Sequence, residues 1–133
     1  MTIPTSRPSA TARRRDRGAR GAVTAELALV LPLLVAVTIG LVWLLAVGAD
    51  QLRAVDAARE TARALARGDS PAAAVALGER VAPEGATVRV ASGDGQVRVT
   101  VTGEVTGPGG IFSALPPARL RAEAVAALEE GST

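Results

Sequence analysis

The feature that most constrains this chain is an uncharged apolar run of 23 residues, positions 27–49. A helix rises about 1.5 Å per residue, so a run of this length reaches about 34 Å, enough to cross a hydrocarbon core of about 30 Å. A helix buried in a soluble protein is rarely apolar on all sides over such a length. The run therefore predicts one membrane-spanning helix. Pro32 lies inside it and removes one backbone hydrogen bond, so a kink is expected nearby.

Charges flank the run unequally, which predicts the orientation of the helix. Residues 1–21 contain six Arg and one Asp, whereas residues 22–133 contain nine Arg and twelve acidic residues. Short arginine-rich flanks stay in the cytoplasm. The N-terminus is therefore expected on the cytoplasmic side of the cell membrane, and residues 50–133 on the other side. Because the folded part is mildly acidic, no nucleic-acid partner is expected. The lipid bilayer is the expected environment.

Four segments are expected along the chain. Residues 1–21 are rich in Arg, Ser and Pro and poor in apolar side chains, which predicts a disordered basic leader. Residues 22–49 form the transmembrane helix, and residues 50–67 extend it as an amphipathic helix that Gly68 ends. The predicted apolar stripe of this extension comprises Leu52, Val55, Ala58, Ala62 and Leu65. Residues 68–133 are expected to form a small extracytoplasmic α+β module.

The module begins with a helix signature and continues with an alternating pattern. Ser70 and Pro71 predict a short second helix over residues 72–81. Valines then alternate with polar residues on both sides of Gly93-Asp94-Gly95, which predicts a β-hairpin with one apolar face. A lone hairpin is marginal in water, so this face should pack on the second helix or on the extension. These valines are Val88, Val90, Val97, Val99 and Val101.

The last segment, residues 118–130, fits two structures. Its composition favours a helix, whereas Leu120, Ala122 and Ala124 alternate with charged residues as in a strand. A third strand is the preferred interpretation, and a helix remains open. The predicted fold class is therefore α+β, with a long N-terminal transmembrane and amphipathic helix, a short second helix, and a small antiparallel hairpin or three-stranded sheet.

Composition argues against an enzyme. The chain has no His and no Cys, which removes the usual general base, thiol nucleophile and zinc ligands. Asp94 and Glu104 are candidate carboxylates, but they fall on a turn and at a strand end with no base or nucleophile nearby. No catalytic residue, cofactor or metal is expected.

The junction between leader and helix carries the informative motif. Gly21 ends the basic segment, and Glu26 is the only charge in residues 22–49, at the fifth position counted from Ala22. A carboxylate in a membrane costs about 2–3 kcal/mol near the centre and less near the interface. Glu26 could reach interfacial water. Alternatively, a cut after Gly21 would give Ala22 a free amine, which Glu26 of a neighbouring subunit could pair with to set the register of packed helices.

Gly21, Glu26 and the following Leu-Ala-Leu-Val-Leu-Pro of residues 27–32 resemble the start of TadE-like pilins. These are minor pilin-like proteins of tight-adherence (Tad) pili in the type IV pilus superfamily. The resemblance covers residues 18–67 well and the remainder in outline, and Leu27 replaces the aromatic residue that many relatives have after the acid. It implies cutting by a prepilin peptidase between Gly21 and Ala22, with Glu26 guiding processing or assembly.

The same resemblance implies the partners: other pilin subunits, an assembly ATPase and membrane platform proteins, in a pilus used for adhesion or secretion. Two other interpretations stay open. Val47-Gly48-Ala49 suits a signal peptidase, which would release a secreted protein, although the run is longer than a typical signal h-region of about 7–15 residues. An uncleaved single-pass anchor that presents the hairpin module to a partner shares every topological feature.

Overall fold

The computed structural model describes residues 10–128, with side chains described at residue 18 and from residue 21 onwards. The chain divides into two compact units, Met1–Ile39 and Gly40–Thr133. The predicted α+β class is confirmed. In chain order the elements are α1 (Ala10–Ala66), α2 (Pro71–Val81), β1 (Thr87–Gly93), β2 (Gln96–Val105), a 3-10 helix (Gly110–Ala114) and β3 (Ala118–Ala127).

Helix α1 begins earlier than the sequence analysis predicts. It starts at Ala10, inside the segment expected to be a disordered leader, and the first nine residues of that segment lie outside the described part. Ala and Arg are good helix formers, and no proline lies between residue 10 and Pro32, so the backbone can continue the apolar helix towards the N-terminus. The structure thus differs from the predicted leader over residues 10–21.

The C-terminal end of α1 is closed by Gly68, as predicted. Gly68 has φ +91°, a left-handed conformation that glycine adopts without a Cβ penalty. The Asp69 N–H donates to the Ala64 carbonyl at 3.1 Å, and the Gly68 N–H donates to the Leu65 carbonyl at 3.0 Å. This pair of bonds is a Schellman motif, which satisfies carbonyls that the helix end leaves without partners.

Helix α2 starts where the sequence predicts. The Ser70 hydroxyl accepts a hydrogen bond from the Ala73 N–H at 3.3 Å, and Pro71 occupies the first helical turn, where its missing N–H costs nothing. The helix ends at Val81, just before Pro83. The predicted second helix is confirmed.

The three strands form one antiparallel sheet in the order β1-β2-β3. Val90 pairs with Val99 across the hairpin, and Val99 pairs with Ala124 of β3, so the apolar residues of all three strands share one face. The turn uses Asp94 at φ +53° and Gly95 at φ +71°, the two left-handed conformations of a type I′ hairpin turn. The hairpin and the third strand are confirmed. Residues 129 and 130 of the predicted strand segment lie outside the described residues.

The core lies between the apolar face of the sheet and the helices. Val97, Val99 and Val101 are at most 1% exposed, and they form one buried cluster with small residues of α1 and Ala74 of α2. The α1 members of this cluster are Ala54, Ala57, Ala58, Ala62, Ala64 and Leu65. The predicted packing of the hairpin on the helices is confirmed.

The predicted stripe of α1 is right except at its first residue. Ala58, Ala62 and Leu65 are buried and Val55 is half-buried, but Leu52 is 67% exposed. Further alanines and the buried Thr61 complete the inner face, because small side chains let backbones approach closely. A Cβ built on Gly78 of α2 would lie only 2.0 Å from Thr61 Oγ1, so a larger residue here would force the two helices or the Thr61 side chain to shift.

Candidate membrane and assembly helix

Helix α1 carries a long apolar surface that the protein itself does not cover. Among the described residues, the segment Gly21–Ala66 is the one helix long and apolar enough to cross a membrane, with mean hydropathy 2.7 in its most apolar window and none of that window buried. The core helix of a soluble protein would be mostly buried, so that alternative does not fit. The large side chains exposed here are Val23, Leu27, Leu29, Val30, Leu31, Leu33, Leu34, Val35, Val37, Ile39, Leu41, Val42, Leu44 and Leu45.

All four residues singled out at the start of the apolar run lie on α1 and are exposed: Gly21, Ala22, Glu26 and Pro32. Ala22 and Glu26 are four residues apart, which puts them on the same face of the helix. A Cβ built on Gly21 would meet no atom within 4 Å, so the backbone there is open. Cleavage after Gly21 and the role of Glu26 stay predictions. The helix continues through Pro32, and the kink stays a prediction as well.

The polar side chain in the middle of the run is internally satisfied. Thr38 Oγ1 donates to the Leu34 carbonyl at 2.8 Å. This bond to the carbonyl four residues earlier is the usual way in which a helix hides a hydroxyl from an apolar environment.

The C-terminal end of the run is in contact with the connection between β2 and β3. Trp43 Nε1 donates to the Thr106 carbonyl at 2.9 Å. Nearby, the Phe112 ring lies so close to the helix backbone that a Cβ on Gly40 would be 3.3 Å from its Cε1 and Cζ atoms. Sequence reasoning missed these contacts, because more than sixty residues separate the partners and neither a lone Trp nor a lone Phe indicates its partner.

A second contact joins α1 to the edge of the sheet. Gln51 Nε2 donates to the Arg121 carbonyl at 2.8 Å, and the Arg121 N–H donates to Gln51 Oε1 at 3.4 Å. β3 is an edge strand, so one side-chain amide satisfies a donor and an acceptor that the ladder leaves open. Nothing in the sequence distinguishes Gln51 from an ordinary exposed helix residue, so this contact was also missed.

The two candidate carboxylates lie at opposite ends of β2. Asp94 is in the hairpin turn, and Glu104 pairs with Arg119 in the β2–β3 register. Glu104 lies in an open cleft of about 610 Å³, whose charged lining also includes Glu84 and Arg121. In the described part of the chain, no three His, Cys, Asp or Glu side chains come together as metal ligands would.

The fold and the uncovered apolar helix define a class: membrane-anchored proteins with a single N-terminal helix followed by a small α+β module. The model of the family described as TadE-like protein matches residues 21–63, which are the apolar run and most of its extension. This segment of the chain is therefore similar to the TadE-like family. Neither the curated proteins nor the solved structures include a match to this chain.

Proposed function

We propose that the chain is a TadE-like minor pilin or pseudopilin that contributes to assembly of a Tad-type (type IVb) pilus. The observation that carries this proposal is the long, largely exposed apolar surface of α1, within the segment that matches the TadE-like family, with Glu26 as its only charge. Such a surface can contact lipid first and other helices afterwards. Its partners would be other pilin subunits, a prepilin peptidase, an assembly ATPase and membrane platform proteins.

In this proposal the arginine-rich leader stays in the cytoplasm and the peptidase cuts between Gly21 and Ala22. The new amine of Ala22 then pairs with Glu26 of a neighbouring subunit. Opposite charges attract far more strongly in an apolar medium than in water, so the pair would set the axial register of packed helices. The exposure of Glu26 on α1 supports this role.

The contacts of Trp43 and Gly40 favour a retained helix over secretion with an ordinary signal peptide. Cleavage after Ala49 would remove the indole that donates to Thr106 and the backbone on which Phe112 packs. It would also cut through the middle of the family match, which spans residues 21–63. These observations argue against the secreted protein but not against an uncleaved anchor.

Mass spectrometry of the N-terminus separates the remaining interpretations. We expect the purified membrane form to begin at Ala22; a start at Asp50 would indicate secretion, and an intact leader would indicate a plain anchor. Gly21→Leu should block cutting and leave the longer form, whereas the matched control Gly18→Leu, at a glycine with equally open surroundings, should be processed normally. Processing that is unaffected by Gly21→Leu would contradict the prepilin proposal.

A second pair of variants tests Glu26 itself. Glu26→Gln keeps the size of the side chain but removes its charge, so recovery of the chain with sheared pilus fractions should fall while membrane insertion persists. Asp56→Asn, at an exposed position of the extension, provides the control and should leave recovery unchanged. Equal recovery of both variants would contradict the proposed pairing of Glu26 with the Ala22 amine.

A further inference from the structure

The connection between β2 and β3 is apolar and uncharged, and it contacts the apolar part of α1. No charged residue occurs between Glu104 and Arg119. Ile111 is 74% exposed and Leu115 is 49% exposed, although both are large apolar side chains. We refer to residues 106–117 as the β2–β3 connection.

The position along α1 at which the connection contacts the helix is the key observation. Phe112 packs at Gly40 and Thr106 binds Trp43, yet the uncharged run continues to residue 49. At about 1.5 Å per residue, Gly40 lies about 14 Å along the helix from the C-terminal end of the run at residue 49, on its N-terminal side. The β2–β3 connection therefore lies beside helix residues that are as apolar as the membrane-spanning part. If the whole run crossed the hydrocarbon core, the connection would have to be deep inside that core.

Several backbone groups of the connection form hydrogen bonds within the connection itself. Its 3-10 turn is closed by the Phe112 N–H donating to the Gly109 carbonyl at 3.1 Å and the Leu115 N–H donating to the Phe112 carbonyl at 3.0 Å. The Ser113 hydroxyl donates to the Gly110 carbonyl at 2.7 Å. Three prolines have no N–H to satisfy, namely Pro108, Pro116 and Pro117. Backbone groups that enter lipid must find partners within the protein, and here several do.

We propose that the β2–β3 connection is a membrane-interface element that rests in the outer leaflet, with Ile111 and Leu115 in contact with lipid at the headgroup–acyl boundary. This inference rests on the membrane anchoring of α1 contained in the proposed function. The outer edge of the hydrocarbon core then lies between Gly40 and Trp43 rather than at Ala49. Trp43 occupies the interface that indole rings prefer.

Helix lengths agree with this placement. The 22 residues 22–43 reach about 33 Å as a helix, enough for a hydrocarbon core of about 30 Å. Residues 44–49 add about 9 Å, which covers one headgroup zone of about 5–8 Å. Apolar segments that lie in an interface commonly enter it by about 5–10 Å. The exposed Leu44 and Leu45 would then lie in the same zone as Ile111.

A lipid surface fits the observations better than a second copy of the chain. The exposed Ile111 and Leu115 lie within three residues of Phe112, whose ring packs on the apolar helix at Gly40. The charged residues of the sheet start at Glu104 and Arg119, immediately beyond the connection. A change from charged to uncharged residues at one level is the pattern of a membrane boundary.

The test uses the full chain in phosphatidylcholine vesicles and depends on its lack of cysteine. Single variants Ile111→Cys and Leu115→Cys carry an environment-sensitive fluorophore. Two controls carry the same label: Leu34→Cys in the apolar run, and Ser92→Cys beside the hairpin turn at the opposite end of β2. We expect labels at 111 and 115 to show blue-shifted emission, quenching by lipid-attached nitroxide and loss of quenching by aqueous iodide.

The controls separate the possible failures. A label at 111 that iodide quenches as strongly as at 92, while the label at 34 is quenched from lipid, overturns the interface inference and leaves the anchor intact. A label at 34 that iodide reaches overturns the anchor and the inference together. Protection at 111 from both quenchers, with self-quenching between labels, would identify a second copy of the chain as the occupant and also overturn the inference.

Trp43 supplies an independent depth measurement, because it is the sole tryptophan. With a core spanning residues 22–43, residue 43 lies about 16 Å from the bilayer midplane; with a core spanning residues 27–49, it lies about 8 Å from it. We expect lipids brominated near the headgroup to quench Trp43 more strongly than lipids brominated near the chain ends. The reverse order would overturn the inference.

Discussion

Small residues decide how closely the backbones of the helices and strands approach one another in residues 40–128. Gly78 faces Thr61, and a Cβ there would be 2.0 Å from Thr61 Oγ1 and 3.3 Å from the Ala57 carbonyl oxygen. Thr61 is fully buried and its hydroxyl donates to that same carbonyl at 2.8 Å. Turning the hydroxyl away from a new methyl group would break this hydrogen bond in a buried site.

We expect Gly78→Ala to destabilise the protein, although alanine is the better helix former. Overpacking of a close contact costs about 1–3 kcal/mol, which exceeds the gain of about 1 kcal/mol from helix propensity. The measurement is the thermal or chemical unfolding of the full chain in detergent, followed through β-sheet circular dichroism.

The matched control for this prediction is the double variant Thr61→Ala with Gly78→Ala. Removing the hydroxyl and methyl groups of Thr61 leaves room for the new Cβ, so the double variant should regain part of the stability that Gly78→Ala loses. If Gly78→Ala alone proves stabilising, the close approach of α2 to α1 is not the cause of the glycine at this position.

At the level of elements, the parts with local signals could be predicted from the sequence. Ser70-Pro71 marks the start of α2, the alternating valines mark the hairpin, and Gly68 marks the end of α1, because each signal acts over a few residues. The contacts between elements could not be predicted. Gln51 binds the backbone of Arg121 seventy residues later, and an amide that completes an edge strand has no local pattern.

The errors also have physical reasons. Leu52 was placed on the buried stripe because it is apolar, but the inner face of α1 accepts mainly alanine where the sheet and α2 come close. The N-terminal extension of α1 to Ala10 was missed because low hydrophobicity predicts disorder, although the Ala and Arg residues there are good helix formers. The proposed cleavage and assembly residues have a sequence pattern, but their roles depend on partners outside the chain.

The hairpin turn provides a prediction for a single element. Gly95 has φ +71°, so Gly95→Ala forces a side chain into the left-handed region and should destabilise the sheet by about 1–2 kcal/mol. Gly93 lies two residues earlier without a positive φ and with open space at its Cβ, which makes Gly93→Ala a matched control with little expected effect. Denaturant midpoints of the two variants give the comparison, and equal midpoints would contradict the conformational explanation.

At the scale of the whole molecule, charge distribution and the apolar helix act together. The net charge of residues 1–21 is +5, from six Arg and one Asp, whereas residues 22–133 carry −3, from nine Arg and twelve acids. A basic flank on one side of an apolar helix resists translocation, and a mixed flank does not. We therefore expect the orientation to depend on the leader and not on the sequence of the folded module.

This dependence can be measured with single cysteines, because the natural chain has none. In intact cells, or in spheroplasts where an outer membrane is present, a membrane-impermeant maleimide should label Ser92→Cys. It should label Ala12→Cys of the uncut chain only after the membrane is permeabilised.

Replacing Arg13, Arg14 and Arg15 by Gln removes three of the six positive charges of the leader, so a larger fraction of Ser92→Cys should become protected. Arg80→Gln, in the folded module, should leave that fraction unchanged. Labelling of Ala12→Cys without permeabilisation would reverse the proposed topology.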